Sequence, residues 1–318
     1  MTPPNAAYID RLANFIRQEY LLEPLSVTPA KRGYFGETWK LCTAESAYFL
    51  KLDYTSPHKT VYANSFPVLE HLWNHGIDFV SRIVKSKNGE LYTCFSSAVV
   101  GVFAWIDGEN IQNEQTKPRE YQMLARVYAI PPADLRISRD VFSAQSAELF
   151  FAEWTRLREG LKDDAANQML ALFEENELKI RHRAERLALF ADRCKPDTSH
   201  FYITHGDAGG NLVVNGDKFF IVDWEEARYA PPERDGWFCL HWDWAMDAFH
   251  NGLRQSGIDY TLRPERLAYY CYHMFFWYMF AYLATYAAGN DKESIIAAMT
   301  GFFSCWIEDN LLFADTIL

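Results

Sequence analysis

Asp207, Asn211 and Asp223 are the residues of this 318-residue chain whose types and spacing could do chemistry together. They stand in His205-Gly206-Asp207-Ala208-Gly209-Gly210-Asn211 and in Ile221-Val222-Asp223-Trp224-Glu225. Between them, Leu212-Val213-Val214 and Phe219-Phe220-Ile221-Val222 read as two short apolar strands joined at Asn215-Gly216, the signal of a tight hairpin. A hairpin returns its second strand beside its first. Asn211 at the entry and Asp223 at the exit should therefore converge. Asp207 precedes them on a loop loosened by Gly209 and Gly210. A carboxylate base beside two oxygen ligands for Mg²⁺ is the set that phosphoryl transfer to a hydroxyl uses.

The His-Gly-Asp triplet, the downstream Asn and a strand ending in Asp-Trp-Glu resemble the aminoglycoside phosphotransferase and choline kinase family. These are small-molecule kinases with a protein-kinase-like fold. The continuation from Glu225 through Ala230-Pro231-Pro232-Glu233-Arg234-Asp235 is most similar to the spectinomycin phosphotransferase branch. The resemblance is specific over about residues 203–238 and weaker but colinear elsewhere. It implies Asp207 as the base that accepts or orients the hydroxyl proton, and Asn211 and Asp223 as Mg²⁺ ligands. One departure stands out. The family places the Asn five residues after the base, and here Asn211 follows Asp207 by four. The glycine pair has to absorb the difference.

Lys51 lies in Tyr48-Phe49-Leu50-Lys51-Leu52. A lysine inside such a strand either sits on an exposed alternating face or holds an anion. The run resembles the family's third strand, whose lysine binds the α- and β-phosphates. Its usual acidic partner on the next helix would fall near Ser65; Glu70 is the nearest acid, out of register, and no partner is assigned. Gly33 and Gly36 lie between the first two strands, where the family covers the nucleotide. They could let backbone amides approach phosphate, or serve an ordinary hairpin turn. The connector from Ala104 to Gly108 would meet the purine through the backbone, at Ala104 and Ile106, which leaves ATP and GTP undistinguished.

Other polar residues carry two readings each. His205 reads as a brace for the catalytic loop. Glu225 and Glu226 could help with metal or substrate, or be solvated or structural carboxylates. Asp235 reads as a helix cap and Arg234 as an ion-pair partner. Asp243 and Asp247 share a helical face beside Trp242 and Trp244. That face either is a solvated acidic surface or takes a cationic substrate flanked by aromatic rings.

The elements that must position these groups follow from periodicity. Residues 5–21 read as a helix with Ile9, Leu12, Phe15, Ile16 and Tyr20 on one side. Strand-like runs follow at Leu25–Ala30, Thr38–Cys42 and Ala47–Leu52, then a helix at about 60–75, then strands at Glu90–Phe95 and Ala98–Phe103. The remainder is mostly helical. The expected fold is α+β: a protein-kinase-like, two-lobed chain with a small β-rich nucleotide-binding lobe, residues 1–103, and a larger mainly helical lobe, residues 104–318, for catalysis and substrate binding.

Composition bounds the partners. A net charge of −11 argues against nucleic acid and anionic membrane, which need basic surface, and suits a cationic acceptor. Leu267–Ala288 lacks Asp, Glu, Lys and Arg and is long enough to span a bilayer. Its mid-segment tyrosines point instead to a buried helix. Six scattered cysteines with no Cys-x-x-Cys pair fit a reducing cytoplasm.

The expected activity is transfer of the γ-phosphate of ATP or GTP, with Mg²⁺, to a hydroxyl of a small cationic molecule. An aminoglycoside or aminocyclitol such as spectinomycin is the leading acceptor, through the resemblance. The substrate contacts would include Glu226, Trp242, Asp243 and Asp247. Three alternatives remain: a kinase of choline, a sugar or an amino acid; a catalytically silent nucleotide-binding module; and a metal-dependent hydrolase built on His205, Asp207, Asp223 and His241.

Overall fold

Residues 6–30, 36–54, 58–111, 113–131, 134–160, 163–287, 292–304 and 306–318 are described by a computed structural model. The chain forms two compact units. One comprises Met1–Ser138 and Ile203–Tyr229, the other Arg139–Tyr202 and Ala230–Leu318.

The first unit opens with α1 (Ala6–Tyr20), then β1 (Ser26–Pro29), β2 (Glu37–Cys42) and β3 (Ala47–Asp53). α2 (His58–Asn74), β4 (Thr93–Phe95) and β5 (Ala98–Ala104) follow. The strands form one antiparallel sheet in the order β1-β2-β3-β5-β4. The fourth strand is shorter than its sequence implies, because Ser86 to Glu90 closes a turn that uses up the preceding residues.

Side chains alternate across a sheet, and this alternation sorts the sheet's two faces. Leu50, Leu52, Val100 and Val102 join Leu12, Ile16 and Tyr20 of α1 in one apolar core. Lys51 and Asp53, one residue out of step with those leucines, belong to the opposite set. Lys51 is paired across the ladder with Gly101. A Cβ at Gly101 would lie 2.4 Å from Tyr62 Oη and 2.5 Å from Phe66 Cζ of α2. Only glycine lets the helix come that close, and Tyr62 Oη then donates to Lys51 O at 3.2 Å. Gly36 is equally constrained: its φ is +73° and a Cβ would sit 2.1 Å from Leu52 O. Gly33 lies outside the described residues.

The same unit contains β6 (Glu109–Asn110), α3 (Lys117–Tyr128) and the site hairpin, β8 (Leu212–Asn215) and β9 (Lys218–Ile221), preceded by β7 (Tyr202–Thr204). β6, β8 and β9 make a three-stranded sheet in that order. The hairpin loop is Gly216-Asp217 rather than Asn215-Gly216, since Asn215 pairs with Lys218. Gly216 alone of the two has positive φ, at 56°, the pattern of a type II′ turn with glycine at its first central position. β10 (Arg228–Ala230) follows the hairpin and pairs with β7.

The second unit is helical: α4 (Gln145–Glu159), α5 (Asp164–Glu175), α6 (Glu177–Cys194), α7 (Glu233–Gly236), α8 (Asp243–Gln255), α9 (Pro264–Ala287), α10 (Lys292–Gly301) and α11 (Trp306–Asp315). α9 is the apolar helix expected near its position, and it runs through this unit's core with Phe150, Phe173, Phe190 and Leu311 around it. Tyr269 and Tyr270 bury their rings and satisfy their hydroxyls: Tyr270 donates to Asp140 Oδ2 at 2.7 Å and Tyr269 to Ser143 O at 3.2 Å. Among the described residues no helix is long and apolar enough to cross a membrane. Asp235 lies inside α7, with Pro232 at the cap position, so it is not the helix cap. Glu233, Arg234 and Asp235 are all buried.

Candidate active site

The hairpin brings Asn211 and Asp223 together as its strand pattern implies. Leu212 pairs with Ile221, and Val222 N donates to Asn211 O at 3.0 Å. Beyond Val222 the backbone turns sharply: Asp223 adopts φ 66°, ψ 56° in the left-handed region. A non-glycine residue held there costs on the order of 1–3 kcal/mol, a strain that clusters at functional sites. The turn continues as a 3-10 segment, Trp224–Glu226. Trp224 anchors it, 1% exposed, with its indole N–H donating to Ile221 O at 2.9 Å.

The loop that carries Asp207 is tied to the same hairpin. His205 is fully buried; its Nε2 bonds to Val222 O at 2.8 Å and its Nδ1 accepts from the Asp207 N–H at 3.1 Å. Its ring meets Trp224 edge-on at 4.7 Å. His205 is thus the brace its position suggested. Ala208–Gly210 form a 3-10 turn, which shortens the path from Asp207 to Asn211. The Asn211 amide donates to Asp207 O at 2.7 Å and to Asp207 Oδ2 at 3.1 Å. The four-residue interval therefore does not splay the two side chains apart.

Lys51 completes the group from β3. Its ammonium lies 3.0 Å from Asp223 Oδ1 and also ion-pairs with Glu225 Oε1, and its side chain is 8% exposed. The Glu225 partnership is the main feature that sequence reasoning missed. Glu225 is buried rather than solvated. On α2, Ser65 turns its hydroxyl to Tyr62 O and Glu70 pairs with Lys85. The lysine's acids thus come from the turn after the hairpin. Glu226 is half-exposed and pairs with Arg228 at 2.7 Å.

The charges set protonation. Burial alone would drive the Lys51 ammonium toward neutrality, but Asp223 and Glu225 outweigh it and raise its pKa. Loss of hydration pushes Asp223 up, yet Lys51 prevails and holds it below its ordinary value. One cation cannot serve two carboxylates equally. Glu225 is left with burial and the Asp223 charge against it, and its pKa is pushed up to about 8. Asp207 is also raised, first by lost hydration, then by Asp223 and Glu226, against His205 and the Asn211 hydrogen bond.

The donor set suits Mg²⁺. Asp223 is held ionised, its side chain is 42% exposed, and Asn211 stands at the other foot of the hairpin. Two protein oxygens, with the rest supplied by phosphates and water, is how Mg²⁺ is commonly held. Among the described residues no group of three His, Cys, Asp or Glu could hold a metal. His241, which a metal-hydrolase site would need, bonds instead to Asn310 at 3.0 Å in the second unit.

The connector expected to meet the purine leaves β5 at Ala104. Ala104 N donates to Arg82 O at 2.9 Å and Trp105 N to Ala47 O at 3.1 Å. The Lys40 ammonium lies over the Trp105 ring, 4.1 Å from its centroid. Trp242, Asp243 and Asp247 belong to the second unit. Trp242 is 43% exposed and stacks on Trp244 at 5.7 Å, while Asp243 and Asp247 are exposed along α8.

A small antiparallel sheet with a lysine strand, a helical second unit and a hairpin bearing Asp and Asn beside a loop carboxylate define a kinase-like α+β small-molecule phosphotransferase. Comparison with known proteins agrees. Residues 26–270 match the phosphotransferase enzyme family, APH, so the chain belongs to that family and is a small-molecule kinase acting on hydroxyl groups. Among solved structures, spectinomycin phosphotransferase APH(9)-Ia in complex with ADP and spectinomycin superposes with a TM-score of 0.80 at 14% identity, covering 96% of this chain and 97% of that one. An amicoumacin kinase in complex with AMP-PNP and Ca²⁺ gives 0.61 at 14% identity, covering 97% and 93%. Choline kinase from Cryptosporidium parvum Iowa II gives 0.58 at 11% identity, covering 92% and 91%. At these identities the likeness is one of fold. Among curated proteins, none matches by sequence.

Proposed function

We propose that this kinase moves the γ-phosphate of a nucleoside triphosphate to a hydroxyl of a small cationic ring compound, an aminocyclitol such as spectinomycin being the first acceptor to test. The observation that carries the reading is the convergence of Lys51, Asp207, Asn211 and Asp223 around the feet of one hairpin. Lys51 holds the α- and β-phosphates. The purine is met by the Ala104 carbonyl and the Ile106 N–H, and Gly36, just ahead of β2, would let the backbone approach the phosphates. Asn211 and Asp223 would hold Mg²⁺, which when bound neutralises charge on the phosphates. Asp207 accepts or orients the acceptor's O–H proton as that oxygen bonds to phosphorus and the bond to the bridging oxygen breaks, releasing the nucleoside diphosphate.

The acceptor's charge is supported by the net charge of −11 and by Glu226, Asp243 and Asp247. Trp242, stacked and exposed, offers a face for a cation. The matching fold that carries spectinomycin is a further support. The test is incubation with ATP or GTP and Mg²⁺ against spectinomycin, aminoglycosides, choline and neutral sugars, read by mass spectrometry of the acceptor. Transfer to a cationic aminocyclitol is expected. Transfer confined to neutral sugars would remove the cationic part of the proposal.

The base assignment carries a pH signature. Asp207 must be ionised to take a proton, and its pKa is raised, first by lost hydration and then by neighbouring charge. Turnover should therefore rise with pH through a step lying above the usual carboxylate value of about 4. Glu226→Gln removes one of the charges that raises Asp207, so the step should move to lower pH. A profile whose acid limb is unmoved by Glu226→Gln would count against Asp207 as the titrating group.

A further inference from the structure

In this site the acid that holds the strand lysine comes from the turn after Asp223, which raises the question of what holds that acid. Glu225 is 10% exposed in its side chain and reaches Lys51 through Oε1. Its other oxygen, Oε2, lies 3.5 Å from His58 Nε2. His58 is the first residue of α2. Its second ring nitrogen, Nδ1, is bonded to Asp53 Oδ2. Asp53 has no exposed surface and stands two residues after Lys51, in the same alternating set of β3. Four side chains thus close a circuit: Lys51 and Asp53 from one strand, His58 from the helix, Glu225 from the 3-10 turn.

We infer that His58 is a positioning residue for phosphate binding: clamped by Asp53, it holds Glu225 against Lys51 and so takes over the link between α2 and the lysine. An imidazole suits this task. Its two nitrogens diverge from a rigid ring, so fixing one on Asp53 fixes where the other points. A helix residue with one short carboxyl could reach the lysine directly but could not also register the helix start against β3. Ser65, which occupies the register of a helix acid, turns inward to Tyr62 O.

The inference rests on Lys51 as the phosphate-holding cation, and one experiment separates the two. The affinity of Mg·ADP is measured by calorimetry for the full chain and for Lys51→Ala, His58→Ala, His58→Gln, His58→Asn, Glu225→Ala and His58→Ala with Glu225→Ala, each with a thermal melt. Glu225→Ala leaves Lys51 paired with Asp223, so a folded variant is expected. His58→Ala should weaken Mg·ADP by roughly tenfold, the scale of coupling between contacting residues. In the Glu225→Ala background the same change should have no further effect. Gln places its amide near the ring's Nε2 position and should restore part of the affinity. Asn reaches only toward Asp53 and should not. A residue that merely starts the helix would change the melting temperature and leave the affinity alone, whichever amide replaces it. Fold-losses that multiply independently, Asn rescuing better than Gln, or a lowered melting temperature with unchanged affinity would each overturn the inference. Unchanged affinity in Lys51→Ala would instead overturn the reading of Lys51.

Discussion

Asp207→Asn should lower turnover by about two to four orders of magnitude, the usual worth of a positioned general base, while Mg·ADP affinity stays nearly constant. The substitution is close to isosteric. An Asn oxygen at the same place still accepts from the Asn211 amide, which now lies 3.1 Å from Asp207 Oδ2. The His205 brace acts on the backbone N–H of residue 207 and is untouched. What is lost is the charge and the capacity to take a proton. Single-turnover assays with saturating nucleotide read the chemical step directly, and calorimetry with Mg·ADP reads binding. A rate within a few-fold of the parent enzyme would move the base elsewhere. Full loss of nucleotide binding would mean that residue 207 holds the loop together rather than acting on the acceptor.

Why Asp207, Asn211 and Asp223 could be read from the chain while Glu225 could not is a matter of range. The first three are set by local chemistry: two apolar runs, a turn containing glycine, and a glycine-rich bend, all within one short segment. Period-2 alternation fixes which ends meet. Even the misplaced turn, shifted by one residue to Gly216-Asp217, leaves the outer ends of the strands paired as expected. Alternation left Lys51 either exposed or holding an anion, and only the resemblance of its strand to the family's third strand singled it out.

Glu225 depends on contacts that no window of sequence contains. Asp-Trp-Glu-Glu reads as a polar exit from a strand. It is buried because Asp223 turns into the left-handed region and the following 3-10 segment lies against α2, whose first residue is far away in the chain. The helix acid near Ser65 was expected by register and is replaced through space. The same limit explains Asp235. Its sequence context suits a cap, but the helix starts earlier, after Pro232, so Asp235 falls inside it and is buried. The mainly helical character of the second unit followed from periodicity. The burial of Tyr269 and Tyr270 on α9 followed only from their partners Ser143 and Asp140 elsewhere in the chain.

Lys51→Met should abolish transfer by about two to three orders of magnitude or more, and it should make stability depend on pH in a defined direction. The rate loss is that of removing one fixed charge from the reacting phosphates. Lys51→Arg should rescue poorly, since a planar fork does not fit a space shaped for one ammonium between two carboxylates. For stability, the sign follows from Glu225. Its folded pKa, about 8, is raised above the unfolded value, first by burial and then by Asp223, so the folded protein holds a proton that the unfolded chain releases. Stability from this group is fully present below the unfolded value and declines as pH rises toward 8. Lys51 limits that decline by favouring the ionised form. Without it the folded pKa climbs further and the decline continues past 8. In metal-free buffer the Lys51→Met deficit should therefore begin in mild acid, where Asp223 loses the cation that keeps it ionised, and widen at alkaline pH, where Glu225 is orphaned as well. It should approach the roughly 3–5 kcal/mol cost of orphaning a buried ion only where Glu225 is ionised. Adding Glu225→Gln to Lys51→Met should remove the alkaline part of the deficit without restoring activity. Denaturant melts across pH would show it; a deficit that stays constant from acid to alkaline pH would mean that Lys51 packs as an aliphatic stem and does not neutralise Glu225.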